Sequence, residues 1–158
     1  MRCVWLLCES GNRWRPAVDH FAVQMLPAAD DVLEIRSIAS PEACLAALAQ
    51  QVPAVVLWEL PAAGAGPVLE SISRAAARGA NRPLQFVALS QESVVPIGIA
   101  DEVELNLREL GVAGVVDRPV SLANHAAMVR RYWQQNQRDD NLSAVREIWD
   151  RLPWAGDR

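Results

Sequence analysis

The sequence predicts an α/β domain built on a five-stranded parallel sheet with helices on both faces. Three observations carry this expectation. Short apolar runs alternate with stretches of helical period along the whole chain, and strand–helix alternation implies parallel strands joined by right-handed crossovers. The central run, Pro53-Ala54-Val55-Val56-Leu57-Trp58, is apolar without a break, as a strand covered on both faces must be. The chain has 158 residues, 51 % of them hydrophobic, which suits one core and one domain with a short appendage.

Each element has its own signal. Val4-Trp5-Leu6-Leu7-Cys8 reads as the first strand. From Trp14 to Leu26, Val18, Phe21, Ala22 and Met25 fall on one helical face, and Pro16 sits where a helix start tolerates it. Val32 to Ser37 alternates like a half-buried strand. Ser40-Pro41-Glu42 opens a helix, with Ser40 as N-cap, that runs to about Gln51. The third strand, Pro53 to Trp58, is followed by the loop Pro61 to Gly66 and a helix from Pro67 to Arg78 that Gly79 can end. Leu84 to Leu89 is a fourth strand, and Val94 to Ala100 is irregular. Asp101 to Leu110 is a helix with Val103, Leu107 and Leu110 inward, stopped by Gly111. Its leading acids, Asp101, Glu102 and Glu104, suit the positive end of the helix dipole or simple solvation. Val112 to Val116 is the fifth strand. Ser121 to about Gln137 is a long helix with Leu122, Ala126, Val129 and Trp133 inward.

Five strands and five helices in alternation suit the flavodoxin-like order 2-1-3-4-5, a three-layer sandwich. A ligand on such a sheet sits beyond the carboxyl ends of the strands, near the order reversal, where Glu9 and Glu59 should meet. No GxGxxG follows the first strand, which disfavours a dinucleotide fold. A polar stretch, Gln134 to Asp140, then separates residues 1–137 from a C-terminal extension, residues 138–158. Within it Leu142, Val145, Trp149 and Leu152 form an apolar stripe of helical spacing, ended by Pro153. The expected architecture is therefore the five-stranded sandwich with an extra C-terminal helix.

Composition narrows the function. The formal charge is −4, and Arg130-Arg131 is too short a basic run to indicate nucleic acid. No apolar run is long enough to span a bilayer, and the Met1–Glu9 stretch is too short for a secretion signal, so a cytoplasmic chain with no membrane partner is expected. Cys3, Cys8 and Cys44 have no CxxC spacing; they read as small buried residues rather than a disulfide framework or zinc site. All 15 basic residues are arginine, which excludes a lysine Schiff base and the lysine of a GxxxxGK[ST] phosphate loop.

At four strand ends the sequence resembles the receiver domains of response regulators in two-component systems, over roughly residues 2 to 133. Val55-Val56-Leu57-Trp58-Glu59 is similar to the family's apolar run ending in a phosphate-accepting Asp, with Glu59 in its place. Ser90, after Ala88-Leu89, matches the Ser/Thr that senses the phosphoryl group. Asp117-Arg118-Pro119 looks like the family's Lys-Pro, with Arg118 for the lysine and Pro119 for a proline that usually follows a cis bond. Cys8-Glu9-Ser10 stands where the family carries two adjacent acids. The departures are one acid instead of two, Glu for Asp, Arg for Lys, no aromatic switch residue in the fifth strand, and a longer segment after Ser90.

These departures bear on chemistry. Phosphorylation of a carboxylate needs an in-line oxygen and a magnesium ion to neutralise the transferred charge. Magnesium demands near-octahedral oxygen ligands. The extra methylene of Glu displaces its oxygens by about 1.5 Å, and a misplacement of about 1 Å can cost on the order of a hundredfold in rate. Arg118 is a planar, permanent cation, unlike an ammonium on a flexible stem. The resemblance then implies a degenerate pocket of Glu9, Ser10, Glu59, Ser90, Arg118 and Pro119 with no metal, no cofactor and no physiological phosphorylation. Arg118 bridging Glu9 and Glu59 would fix the loops in one state; the alternative is three solvated loop-end charges.

Other candidates are weaker. His20 and His125 read as surface residues, and no Ser-His-Asp or Cys-His set follows from spacing. Glu9 with Glu59 could act as a general acid/base pair, but the loops lack obvious substrate-fixing groups. Of six tryptophans, Trp5 and Trp58 read as core, whereas Trp14, Trp133, Trp149 and Trp154 lie nearer element ends, where exposed Trp marks interfaces. The Leu142/Val145/Trp149/Leu152 stripe packs on its own domain, on a second copy or on another protein. The expected function is a non-enzymatic, pseudo-receiver signalling or adaptor module acting through protein partners, with helix 4, strand 5, helix 5 and the C-terminal helix as contact surfaces and a homodimer as one possibility. The alternatives are an atypical phosphoacceptor, and a small enzyme or nucleotide-binding protein on the same scaffold.

Overall fold

The computed structural model describes the backbone at residues 2–50, 53–61, 63–79, 82–89 and 100–150, and the side chains of the same residues except 100, 101, 139–141 and 143–150. Five strands, β1 (Arg2–Cys8), β2 (Val32–Ile38), β3 (Ala54–Leu60), β4 (Leu84–Leu89) and β5 (Gly114–Val116), alternate with helices α1 (Arg15–Met25), α2 (Pro41–Gln50), α3 (Gly66–Ala76), α4 (Ala100–Glu109) and α5 (Ala126–Asp150). A 3₁₀ helix, Pro119–His125, leads into α5. The strands are all parallel in the order β2-β1-β3-β4-β5, the flavodoxin-like order predicted.

Side chains alternate across the sheet and split the core into two layers. Trp5, Leu7, Val55, Leu57, Phe86 and Val116 face α1, the 3₁₀ helix and α5, where they meet Trp14, Val18, Met25, Leu122, Val129 and Trp133. Val4, Leu6, Val56, Trp58 and Val87 face α2, α3 and α4, where they meet Cys44, Leu48, Ile72 and Leu107. The layer α2–α4 also encloses a polar link: the Trp58 indole N–H donates to Gln85 Oε1 at 3.0 Å, and Gln85 Nε2 donates to the Ile72 carbonyl at 3.2 Å. Gln85 is thus buried with its amide satisfied, which removes the cost of placing it in the core.

Local signals explain most boundaries. Ser40 Oγ accepts the Ala43 N–H at 3.4 Å, capping α2 as its sequence suggests. Gly111 follows α4 with φ +97°, a conformation a β-carbon resists. Cys3, Cys8 and Cys44 are free and buried. Burial pushes the Cys3 thiol up to about 11, and a hydrogen bond with Cys8 together with burial raises that of Cys44.

Three expectations are corrected. Trp14 and Trp133 are fully buried, not interface-like; they pack onto the sheet from the residue before α1 and from α5. His125 is not a surface histidine: its ring lies 5.1 Å from that of Phe86 and directly over Gly114, where a β-carbon would come within 2.7 Å of Cε1. The polar stretch Gln134–Asp140 does not interrupt the helix; α5 continues through it to Asp150. Those residues include neither Gly nor Pro, and Gln and Arg are good helix formers, so polarity there marks solvent contact rather than a chain break. Asn136 Nδ2 even donates to the Tyr132 carbonyl one turn back, at 2.8 Å.

Candidate functional site at the carboxyl ends of the strands

The sheet register creates the site. Cys8 pairs with Trp58, so the residues after them, Glu9 and Glu59, leave adjacent parallel strands side by side. Glu59 in turn pairs with Ala88, and Ala88 with Val116, which brings the ends of β4 and β5 into the same row.

Glu9 is only 5 % exposed. Its Oε2 accepts the Trp14 backbone N–H at 3.0 Å, and its Oε1 accepts the Ser37 hydroxyl of β2 at 3.3 Å. The carboxylate thereby serves the first turn of α1, where the N–H groups have no helical partner and the helix dipole favours negative charge. Glu59 is half-buried, and its Oε2 accepts both donors of Ser10, the backbone N–H at 3.1 Å and the hydroxyl at 3.2 Å. The longer glutamate side chain thus reaches across to the β1–α1 loop and is held there.

Arg118 does not bridge the two glutamates. Its Nε pairs with Asp117 Oδ2 at 3.1 Å, and its side chain is 72 % exposed. Asp117 Oδ1 also accepts the Ser121 hydroxyl at 2.7 Å; that bond, with the neighbouring Arg118, holds the carboxyl below its usual range. Pro119 begins the 3₁₀ helix that follows. Ser90 lies outside the described residues.

A residue that sequence reasoning passed over, Arg13, enters the same space. Its Nη1 donates to the Leu89 carbonyl at the end of β4, at 3.3 Å, and its Nη2 to the Asp117 carbonyl just after β5, at 3.4 Å. Its guanidinium carbon lies 4.9 Å from the centroid of the buried Trp14 ring, within cation–π range. The only signal in the sequence is an arginine beside a tryptophan in the loop after the first strand. The short segment from Glu9 to Trp14 therefore reaches the carboxyl end of every other strand: β2 through Ser37, β3 through Glu59, β4 through Leu89, and the residue after β5 through Asp117.

Among the described residues, the donors do not fit the magnesium that the receiver resemblance implies. Both oxygens of Glu9 already accept hydrogen bonds, Glu59 Oε2 accepts two, and among the described residues no group of three or more His, Cys, Asp or Glu is placed to hold a metal ion. No reaction step is derived through a metal. Of the predicted interface stripe, Leu142 is 68 % exposed on α5. Val145 and Trp149 belong to α5 with side chains outside the described set, and Leu152 is outside the described residues. Among the described residues no helix is long and apolar enough to cross a membrane.

Comparison with known proteins gives the fold independent support. No protein-family model matches the chain, and no curated protein matches it. Among solved structures it is similar to the signal receiver domain of a putative Luxo repressor protein from Vibrio parahaemolyticus. The TM-score is 0.53 at 15 % identity, over 87 % of this chain and 97 % of that one. The chain therefore shares the receiver fold.

Proposed function

We infer that this chain is a receiver-like signalling or adaptor module that works through protein–protein contact, without phosphorylation and without catalysing a reaction. The observation that carries this reading is the hold of Ser10 on Glu59. The carboxylate at the acceptor position is turned to the β1–α1 loop and shares one oxygen between two donors. An attacking carboxylate needs a free, in-line oxygen and a counter-cation for the transferred group. Ser10 turns Glu59 toward the β1–α1 loop and occupies its Oε2, and Glu9 is committed to Trp14 and Ser37.

Contact with a protein partner is supported by the outer surface. Of the six large apolar side chains left exposed among the described residues, Leu105 on α4, Val120 in the 3₁₀ helix, and Met128 and Leu142 on α5 lie on the elements flanking β5, whereas Val23 on α1 and Val32 on β2 lie elsewhere. Large apolar residues concentrated on neighbouring elements mark interaction surfaces more than scattered ones do. The partner is a protein of a signalling pathway or a second copy of this chain. Incubation with acetyl phosphate and magnesium followed by intact-mass and peptide mass spectrometry tests the reading. The expected spectrum is that of the unmodified chain; stoichiometric phosphorylation at Glu59 would overturn it.

A further inference from the structure

We propose that Arg13 is a latch that fixes the β1–α1 loop to the carboxyl ends of β4 and β5, and so holds these strand ends and the loop in a single arrangement. The proposal deepens the reading of a phosphorylation-independent module, and rests on it for its signalling meaning. Its structural content stands on contacts of its own.

Arg13 is placed from both sides. Behind it, the flat guanidinium faces Trp14, which is fully buried and whose N–H is held by the buried Glu9 carboxylate. In front, its two terminal nitrogens donate to carbonyls on two different segments, Leu89 and Asp117. These segments end neighbouring strands, and the second leads into the 3₁₀ helix. A planar fork with two separate donors can hold two carbonyls at a fixed spacing; a lysine, with a single ammonium on a flexible stem, satisfies such a pair less well. The latch therefore ties three chain segments together that share no sequence proximity. Without it, the ends of β4 and β5 keep their mutual pairing but lose their tie to the loop that carries Ser10 and Glu9.

The test is hydrogen–deuterium exchange with mass spectrometry on the full chain, comparing the native sequence with Arg13→Met and Arg13→Lys. Met keeps an unbranched apolar stem over Trp14 and removes both donors; Lys keeps the charge and removes the fork. The latch predicts exchange faster by about tenfold or more in both variants, confined to peptides carrying the β1–α1 loop, Leu89 and Asp117, with α2 and α3 unchanged. Native exchange rates at Leu89 and Asp117 in Arg13→Met overturn it. A uniform rise across the whole chain also overturns it, because it shows an ordinary packing role. Native behaviour of Arg13→Lys alone overturns the requirement for the fork. None of these readouts depends on phosphoryl transfer, so mass-spectrometric labelling at Glu59 and a failure of the latch are separate results.

Discussion

Glu9 carries the most consequential side chain at the strand ends, since it is a buried charge with two hydrogen-bond donors on it. Removing it leaves the Trp14 N–H unpaired at the start of α1. Glu9→Ala is expected to destabilise the fold by about 1–3 kcal/mol, the cost of a buried donor left without an acceptor. Glu9→Gln keeps an acceptor oxygen and costs less; urea unfolding of the two variants checks the order. Trp133 makes the opposite case. It is fully buried, but its indole N–H, like those of Trp5 and Trp14, has no acceptor among the described residues. Its value is therefore apolar volume. Trp133→Ala is expected to cost about 3–5 kcal/mol through the cavity it leaves, whereas Trp133→Phe loses no hydrogen bond and costs distinctly less. Equal losses in the two variants would mean that the N–H has a partner after all.

At the scale of elements, β5 and the 3₁₀ helix are locked by one close approach. The His125 ring occupies the space a β-carbon at Gly114 would need. Gly114→Ala is therefore expected to destabilise by about 1–3 kcal/mol through overpacking, and to do so less in a His125→Ala background. A double-mutant cycle reads the difference as an interaction energy of about 0.5–3 kcal/mol. The same histidine makes stability depend on pH. Burial holds its pKa below 6.5, against the opposing pull of a hydrogen bond to the Val115 carbonyl and of the Glu104 charge. As pH falls below about 6.5, the unfolded chain binds a proton that the folded chain does not, so stability declines until the folded pKa is passed and is level below it. His125→Phe should remove this decline. A second loss, from Asp31, Glu34 and Asp117 with lowered pKa values, begins only as pH falls below about 4.5 and is untouched by that change.

The elements themselves were largely readable. Continuous apolar runs announced β1 and β3, and the inward positions Leu122, Ala126, Val129 and Trp133 are those that contact the core. Two errors have physical causes. Hydropathy took the polar run after Trp133 for a boundary, although helix propensity through it is high. His125 looked like surface because an imidazole can pack like an aromatic ring, and nothing in a sequence shows that a glycine in the preceding strand has been left bare to admit it.

For the whole molecule, the receiver fold sets the strand order, and the strand order brings Glu9, Ser10 and Glu59 together. That much followed from reading which residue ends each strand. The partners did not follow. Asp117, adjacent in sequence, takes Arg118 away from the glutamates, and Arg13 binds backbone carbonyls, which leave no mark in a sequence. The result is a set of strand ends stitched from within by one loop, with exposed apolar residues on the flank.

The most direct test of this account follows the donors that hold the two carboxylates. In a magnesium titration monitored by amide ¹⁵N chemical shifts, the Ser10 and Trp14 N–H signals are expected to stay in place through millimolar metal, because Glu59 and Glu9 remain their acceptors. Saturable, concerted movement of both signals would mean that the metal takes those oxygens, and would contradict the commitment of both carboxylates to the β1–α1 loop.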